Sequence, residues 1–341
     1  MSQTNTSRTE LDDQRWLAQV EEEVLDPEQI ICDAHHHLWD YAENQYLLPD
    51  LLADIGDGHK VVSTVFMECN SMYRKAGPVA MAPVGETEFV QGIAAMSASG
   101  NYGPAQVAAG IVGFADLGLG EAVRLVLDAH VQASPNRFRG IRHATSWHAD
   151  PGIRNAHTNP SESLSRTEAF REGYSVLGDM ALSFDAWCYF EQIPELVELA
   201  RDFPETTMIV DHFAGPLGIG AYRNKDEVFA TWQKLMQPFE SLDNVYFKLG
   251  GINMKVNGFD WHKQQLPPTS DDLVAATGHY YRHCIDHFGA ERCLFESNFP
   301  VDKVSCSYRV LFNAFKKIAS AYSPGERNQL FHDTAARVYR L

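Results

Sequence analysis

The sequence predicts an α/β fold, a (β/α)8 TIM-type barrel behind an N-terminal helical extension. Three observations carry that prediction. Apolar, strand-like runs recur eight times, and helix-like segments fill several of the gaps between them. The first run leads into His35-His36-His37, where a doubly wound nucleotide-binding sheet would place a glycine-rich phosphate loop. Nearly every run ends on polar, chemistry-bearing residues, as barrel strands do at the mouth that carries active sites.

Residues 1–10 are rich in Ser and Thr and are expected to be disordered. Over residues 11–28, Trp16, Leu17, Val20 and Val24 recur at helical spacing with acids between them. That pattern predicts a helix outside the main core. Residues 1–28 are therefore read as an extension and 29–341 as a single barrel domain. The strand-like runs are Gln29–His35, Val61–Cys69, Val107–Ala115, Phe138–His143, Leu182–Tyr189, Thr207–His212, Val245–Leu249 and Cys293–Ser297. Helical patterns cover Glu121–Ala133, Ile193–Asp202, Asp226–Glu240, Leu273–Phe288, Tyr308–Tyr322 and Pro324–Tyr339. Non-periodic insertions near 71–105, 146–166 and 251–270 follow strands two, four and seven, so they could cover one mouth.

The chain has 341 residues, with 45 acidic against 28 basic side chains and a net charge of −17. That balance argues against nucleic acid or an anionic membrane as partner and leaves a small anionic substrate open. No two of the six cysteines have CxxC spacing, so a zinc ribbon or a thioredoxin-type motif is excluded. The N-terminus is polar, and no apolar run reaches the roughly 18 residues of a membrane span. A soluble, cytoplasmic protein is expected.

In a strand, residues two apart share a face, which puts His35 and His37 on one side with Asp33 below. Two imidazoles at a strand end can bind a divalent metal or grip a substrate. The other strand ends carry Glu68 and Asn70, Asp116, Arg142 and His143, Asp211 and His212, Lys248, then Glu296, Ser297 and Asn298, with Asp302 just beyond. The fifth run offers only Asp185, Trp187 and Tyr189. Arg142 presents a planar fork suited to a carboxylate. Its alternative is an ion pair with Asp116 or Glu68. His143 could assist it, Tyr73 could reach a substrate from the loop after strand two, and Lys248 could act electrostatically.

Several segments in order resemble the amidohydrolase superfamily, in the branch related to 2-pyrone-4,6-dicarboxylate lactonase. They are Asp33-x-His35-x-His37, Phe138-Arg-Gly-Ile-Arg142-His143, and Ile209-Val-Asp-His212-Phe-Ala-Gly215-Pro216. Further on come Val245-x-x-Lys248-Leu-Gly250-Gly251, Phe295-Glu-Ser-Asn298-Phe-Pro300 and Asp333-Thr-Ala-Ala-Arg337-Val-Tyr339. The resemblance implies a barrel whose histidines hold a metal and whose strand-eight carboxylate works as ligand and base. Two departures stand out. Strand five ends in Trp187-Cys188-Tyr189 with no histidine, and Asn298 stands where an Asp is usual. An amide oxygen is a weaker ligand and cannot take a proton at neutral pH. The lactonase branch also lacks the strand-five histidine, and some of its members work without metal.

The resemblance implies a hydrolase that opens a small carboxylated lactone during catabolism. One divalent ion, Zn²⁺ or Mn²⁺, would sit on His35, His37 and His212; without it the same histidines could donate to the developing oxyanion. Glu68, Glu296 and Asp302, in that order, are the candidate bases, and Asn298 completes the catalytic set with His212. Tyr73, Arg142, His143 and Lys248 are expected to bind substrate, and homo-oligomers are expected from the family. The alternatives are a metal-dependent decarboxylase or hydratase of an aromatic acid, a two-metal redox enzyme, and a non-catalytic barrel.

Overall fold

The computed structural model describes residues 10–41 and 44–341. The expected disorder of residues 1–9 lies outside them. Eight strands, all parallel, form one sheet in sequence order. They are β1 (Ile30–His36), β2 (Lys60–Met67), β3 (Gln106–Gly113), β4 (Phe138–Arg142), β5 (Ser183–Ala186), β6 (Met208–Val210), β7 (Val245–Leu249) and β8 (Cys293–Phe295). The ends of the sheet meet just past β8. There the Asn298 N–H donates to the His35 carbonyl at 2.9 Å, and the His37 N–H to that of Phe299 at 2.8 Å. The result is the expected (β/α)8 barrel.

Strands buried on both faces read as near-continuous apolar runs, which is why all eight were visible in sequence. The inward residues Cys32, Ala34, Val65, Met67, Val112, Ile209 and Leu294 pack with Ala335, Val338 and Tyr339 of the C-terminal segment. That segment fills the barrel interior from below. A larger apolar cluster lies between strands and helices.

Several strands end before the sequence pattern suggests. Glu68, His212 and Asn298 sit one to three residues past their strands, where the backbone turns. His212, Phe213 and Ala214 run consecutively at φ 53°, 57° and 55°, and Asn298 adopts φ 54°. Left-handed conformations cost roughly 1 kcal/mol or more per non-glycine residue. They re-aim side chains toward the barrel axis instead of continuing the strand.

Three expectations about helices are corrected. The first helix, α1 (Glu10–Leu17), is much shorter than residues 11–28. Beyond it the backbone bonds to the barrel instead of to itself: Leu25 N–H donates to Asn313 Oδ1 at 2.9 Å, and Lys316 Nζ to the Leu25 carbonyl at 2.8 Å. The 71–105 insertion contains a helix, Val84–Ala98, and another, Glu168–Asp179, follows the 146–166 loop. Val84–Ala98 buries a mixed set that includes Gly85, Glu86 and Thr87, which blurs its apolar period. The closing helix is interrupted: Pro324–Asn328 and Thr334–Val338 flank one wider turn, Gln329–Asp333.

Candidate active site

Three imidazoles meet at the C-terminal mouth, and each is oriented through Nδ1. His37 Nδ1 lies 2.9 Å from the Met67 carbonyl, which can only accept. His35 Nδ1 lies 2.8 Å from Glu296 Oε2, and His212 Nδ1 lies 2.6 Å from Glu296 Oε1. His37 and His212 therefore carry the hydrogen on Nδ1 and keep a lone pair on Nε2, whereas His35 Nδ1 also lies 3.4 Å from the Lys248 ammonium, which can donate to it. The Gly250-Gly251 pair makes this possible. A Cβ on Gly251 would stand 2.0 Å from His212 Nδ1, and one on Gly250 2.5 Å from Glu296 Cγ.

The Nε2 atoms converge. His35 Nε2 and His37 Nε2 are 3.2 Å apart, and Asn298 Oδ1 stands 3.3 Å from His37 Nε2. Asn298 is held in that sense because its Nδ2 donates to Asp302 Oδ1 at 2.9 Å. Burial, and then neighbouring Arg142, push the His37 imidazole down to about 3; burial and then Lys248 push His35 well below its ordinary value. Both rings are neutral near pH 7. Lone pairs this close call for a cation or a proton donor among them.

Below and beside the imidazoles lies a buried charge network. Arg142 Nε donates to Glu68 Oε1 at 2.7 Å and Nη2 to the Glu68 carbonyl at 2.5 Å. Its Nη1 is 3.4 Å from both Asp211 Oδ2 and His35 Nε2. Burial would raise the Glu68 carboxyl, but Arg142 and His157 outweigh it and hold Glu68 at about 2. A carboxylate so weakly basic is poorly suited to take a proton from water. Lys248 is fully buried, with Nζ 2.6 Å from Asp185 Oδ1 and 3.1 Å from Asp211 Oδ1. Tyr339 Oη donates to the same Asp185 oxygen at 2.5 Å. Lys248 therefore braces the floor of the site, with Nζ also 3.4 Å from His35 Nδ1.

The other residues singled out from sequence are spread around this centre. His143 accepts the Leu117 N–H at 3.2 Å and packs against Phe114 and Phe170. It stands behind the pocket wall. The Tyr73 hydroxyl is buried with no hydrogen-bond partner among the described residues. Asp302 accepts from Asn298 and from the Asn253 N–H at 3.1 Å, and burial raises it to about 7. Trp39 stacks on His37 with centroids 5.9 Å apart, and Trp187 meets His212 edge-on at 4.9 Å.

Two members of the site were not assigned from sequence. Asp211 was seen at its strand end but given no role; adjacency to His212 was the available signal. His157, on the loop between β4 and β5, places Nε2 3.2 Å from Glu68 Oε2. Nothing in the pattern of an irregular loop announces such a residue.

The donor set suits a divalent ion. His35, Asp211 and His212 each offer a ligand atom, all within 4.8 Å of one another. In the connected network, the four acids Glu68, Asp185, Asp211 and Glu296 face two bases, Arg142 and Lys248, a formal excess of two negative charges. Metal-binding histidines characteristically give their second N–H to a carboxylate or carbonyl, as His37 and His212 do here.

A parallel barrel with imidazoles and carboxylates gathered at its C-terminal mouth has the arrangement in which barrel enzymes carry their active sites. The family profile described as Amidohydrolase matches residues 32–341, and the chain belongs to that family. Among curated relatives, the uncharacterized protein y4mH of Sinorhizobium fredii is 33% identical over 333 residues, covering 91% of this chain and 98% of that protein. L-Fucono-1,5-lactonase of Burkholderia multivorans is 24% identical over 322 residues, covering 91% and 95%. A Burkholderia multivorans amidohydrolase solved with bound zinc superposes with TM-score 0.70 at 22% identity, covering 92% of this chain and 99% of that one. A putative 2-pyrone-4,6-dicarboxylic acid hydrolase of Pseudomonas putida gives 0.61 at 16%, covering 92% and 98%.

Proposed function

We propose that the chain hydrolyses a small carboxylated lactone, using water activated among His35, His37 and His212. The observation that carries the reading is the convergence of three buried imidazoles, with His35 Nε2 and His37 Nε2 3.2 Å apart and His212 held by Glu296. The kinship with L-fucono-1,5-lactonase supports a lactone as the substrate; the carboxylate is added on the cationic Arg142 beside the imidazoles.

His35 and His37, with Asp211 beside them, would hold one divalent ion, zinc or manganese. When bound, such an ion polarises a carbonyl and makes water more acidic. Of the two roles open to His212, ligand or base, we assign the base. Its Nε2 takes the proton from water as the water oxygen bonds to the lactone carbonyl carbon. The Glu296 oxygen 2.6 Å from Nδ1 then stabilises the imidazolium. Arg142, 3.4 Å from His35 Nε2, adds positive charge where the carbonyl oxygen becomes negative. Collapse of the adduct breaks the ring C–O bond and yields a hydroxy acid.

The test is a panel of carboxylated and sugar-acid lactones followed with a pH indicator. Acid release from at least one of them is expected. Silence across the panel, with CO₂ released from hydroxybenzoic acids, would replace the hydrolase reading with decarboxylation.

A further inference from the structure

We propose that His157 is the group that protonates the departing ring oxygen, carried to the mouth by the 146–166 loop and set by Glu68. The role rests on the lactone-hydrolase reading.

The loop is pinned on both sides of this imidazole. Thr158 Oγ1 donates to the Ala144 carbonyl at 2.8 Å, and the Ala156 N–H to that of Ser146 at 2.9 Å. Asn155 Oδ1 accepts the His148 N–H at 2.7 Å. Glu68 is ionised, and one of its oxygens is committed to Arg142 Nε at 2.7 Å. The other oxygen stands 3.2 Å from His157 Nε2, within ion-pairing reach of the ring. This is the carboxylate–imidazole pairing that fixes a ring and steadies its cation. On the opposite edge of the ring, Nδ1 makes no hydrogen bond among the described residues.

Exposure separates His157 from the other imidazoles of the site. Its side chain is 25% exposed, whereas His35, His37 and His212 are at most 3% exposed. It touches the buried charge network and still meets solvent. His143, the other ring nearby, is held by Leu117 and wedged between phenylalanines. The groups facing His157 are Glu68, with Arg142 beyond it, His143, and the Phe114 ring at 6.3 Å.

The step balances. His212 gains the proton that water loses. When the ring C–O bond breaks, its electron pair stays on the departing oxygen, which takes the Nδ1 proton of the His157 imidazolium. His157 regains a proton from solvent and His212 releases one. The net reaction is addition of one water across the ester bond.

A proton donor matters for an alkoxide and hardly at all for a phenolate, which leaves unaided. The test compares His157→Gln with the parent on an aliphatic δ-lactone and on dihydrocoumarin, whose leaving group is a phenol. The expected result is a fall in kcat of about a hundredfold on the aliphatic lactone and about fivefold or less on dihydrocoumarin. Equal losses on both, or none on either, would overturn the role of His157 while the hydrolase reading stands. Turnover of neither by the parent would remove the hydrolase reading and this role with it.

Discussion

The Glu296 carboxylate accepts the Nδ1–H of His212 at 2.6 Å, and its second oxygen lies 2.8 Å from Nδ1 of His35. One side chain thus sets the tautomer of His212 and lies against a second ring of the site. Glu296→Gln would place an NH₂ against one of those N–H groups. That imidazole must then move its hydrogen to Nε2 or turn away. Losing such an orienting partner typically costs about 10–100-fold in metal affinity or activity. Both kcat and zinc affinity, the latter by competition with a chromophoric chelator, should fall by that order. A variant equal to the parent in both would reduce Glu296 to a buried filler.

His212 can be assigned as base or as ligand by separating two measurements. With the base role, His212→Asn lowers kcat by about 10²–10⁴-fold. Metal content of the purified protein stays near that of the parent, because His35, His37 and Asp211 remain. Parallel loss of metal and activity would make His212 a ligand instead.

How much of this was legible in sequence follows from which physical signals are local. The barrel was visible because buried parallel strands are apolar on both faces, and the His35-x-His37 pair was visible from its spacing. Asp33 does not sit below that pair: a register shift between Asp33 and His36 breaks the alternation, and Asp33 accepts from the Ser297 N–H and the Tyr308 hydroxyl instead. The Val84–Ala98 helix was hidden because it buries polar and small residues beside apolar ones. Arg142 was placed correctly at its strand end. Whether its fork faces a substrate or Glu68 depends on partners 74 residues away in sequence, which no local pattern encodes. His157 lies in an irregular loop and acquires meaning only from the carboxylate it meets.

The pairing of Arg142 makes a stability prediction. Arg142→Ala leaves Glu68 and Asp211 buried without their counter-charge. Breaking a buried pair from one side costs about 3–5 kcal/mol, so the urea midpoint should drop sharply. Arg142→Lys should recover only part of the loss, since an ammonium cannot span Glu68 and Asp211 together. An unchanged midpoint with a raised KM would return Arg142 to the role of substrate clamp.

His130 offers a pH test remote from the chemistry. Its Nε2–H donates to the Phe114 carbonyl at 2.9 Å, and the Thr87 hydroxyl donates to Nδ1 at 2.8 Å. Burial pushes this imidazole from 6.5 down to about 4. The unfolded chain therefore takes up the proton first as pH falls. The parent loses stability between about pH 6.5 and 4 that a non-titrating His130→Gln variant does not lose. The full difference is about 3 kcal/mol. Unfolding midpoints at neutral and acidic pH should show the variant gaining on the parent. A gap independent of pH would mean that His130 titrates alike in both states.

Asn298 bears most directly on the metal. Its backbone is left-handed at φ 54°, a conformation that Asn and Asp tolerate better than other non-glycine residues, so Asn298→Asp should fold. The new carboxylate would face His37 Nε2 at the present 3.3 Å and stand against Asp302, now the acceptor of the Asn298 amide at 2.9 Å. Two carboxylates that close cannot both ionise cheaply without a cation between or beside them. The metal-free variant should therefore melt below the parent. Added zinc should raise its melting temperature more than it raises the parent's, because an anionic oxygen is the stronger ligand. Zinc affinity should rise by at least about tenfold, or roughly 1.4 kcal/mol. Equal zinc-induced shifts in the two proteins would place the ion away from Asn298.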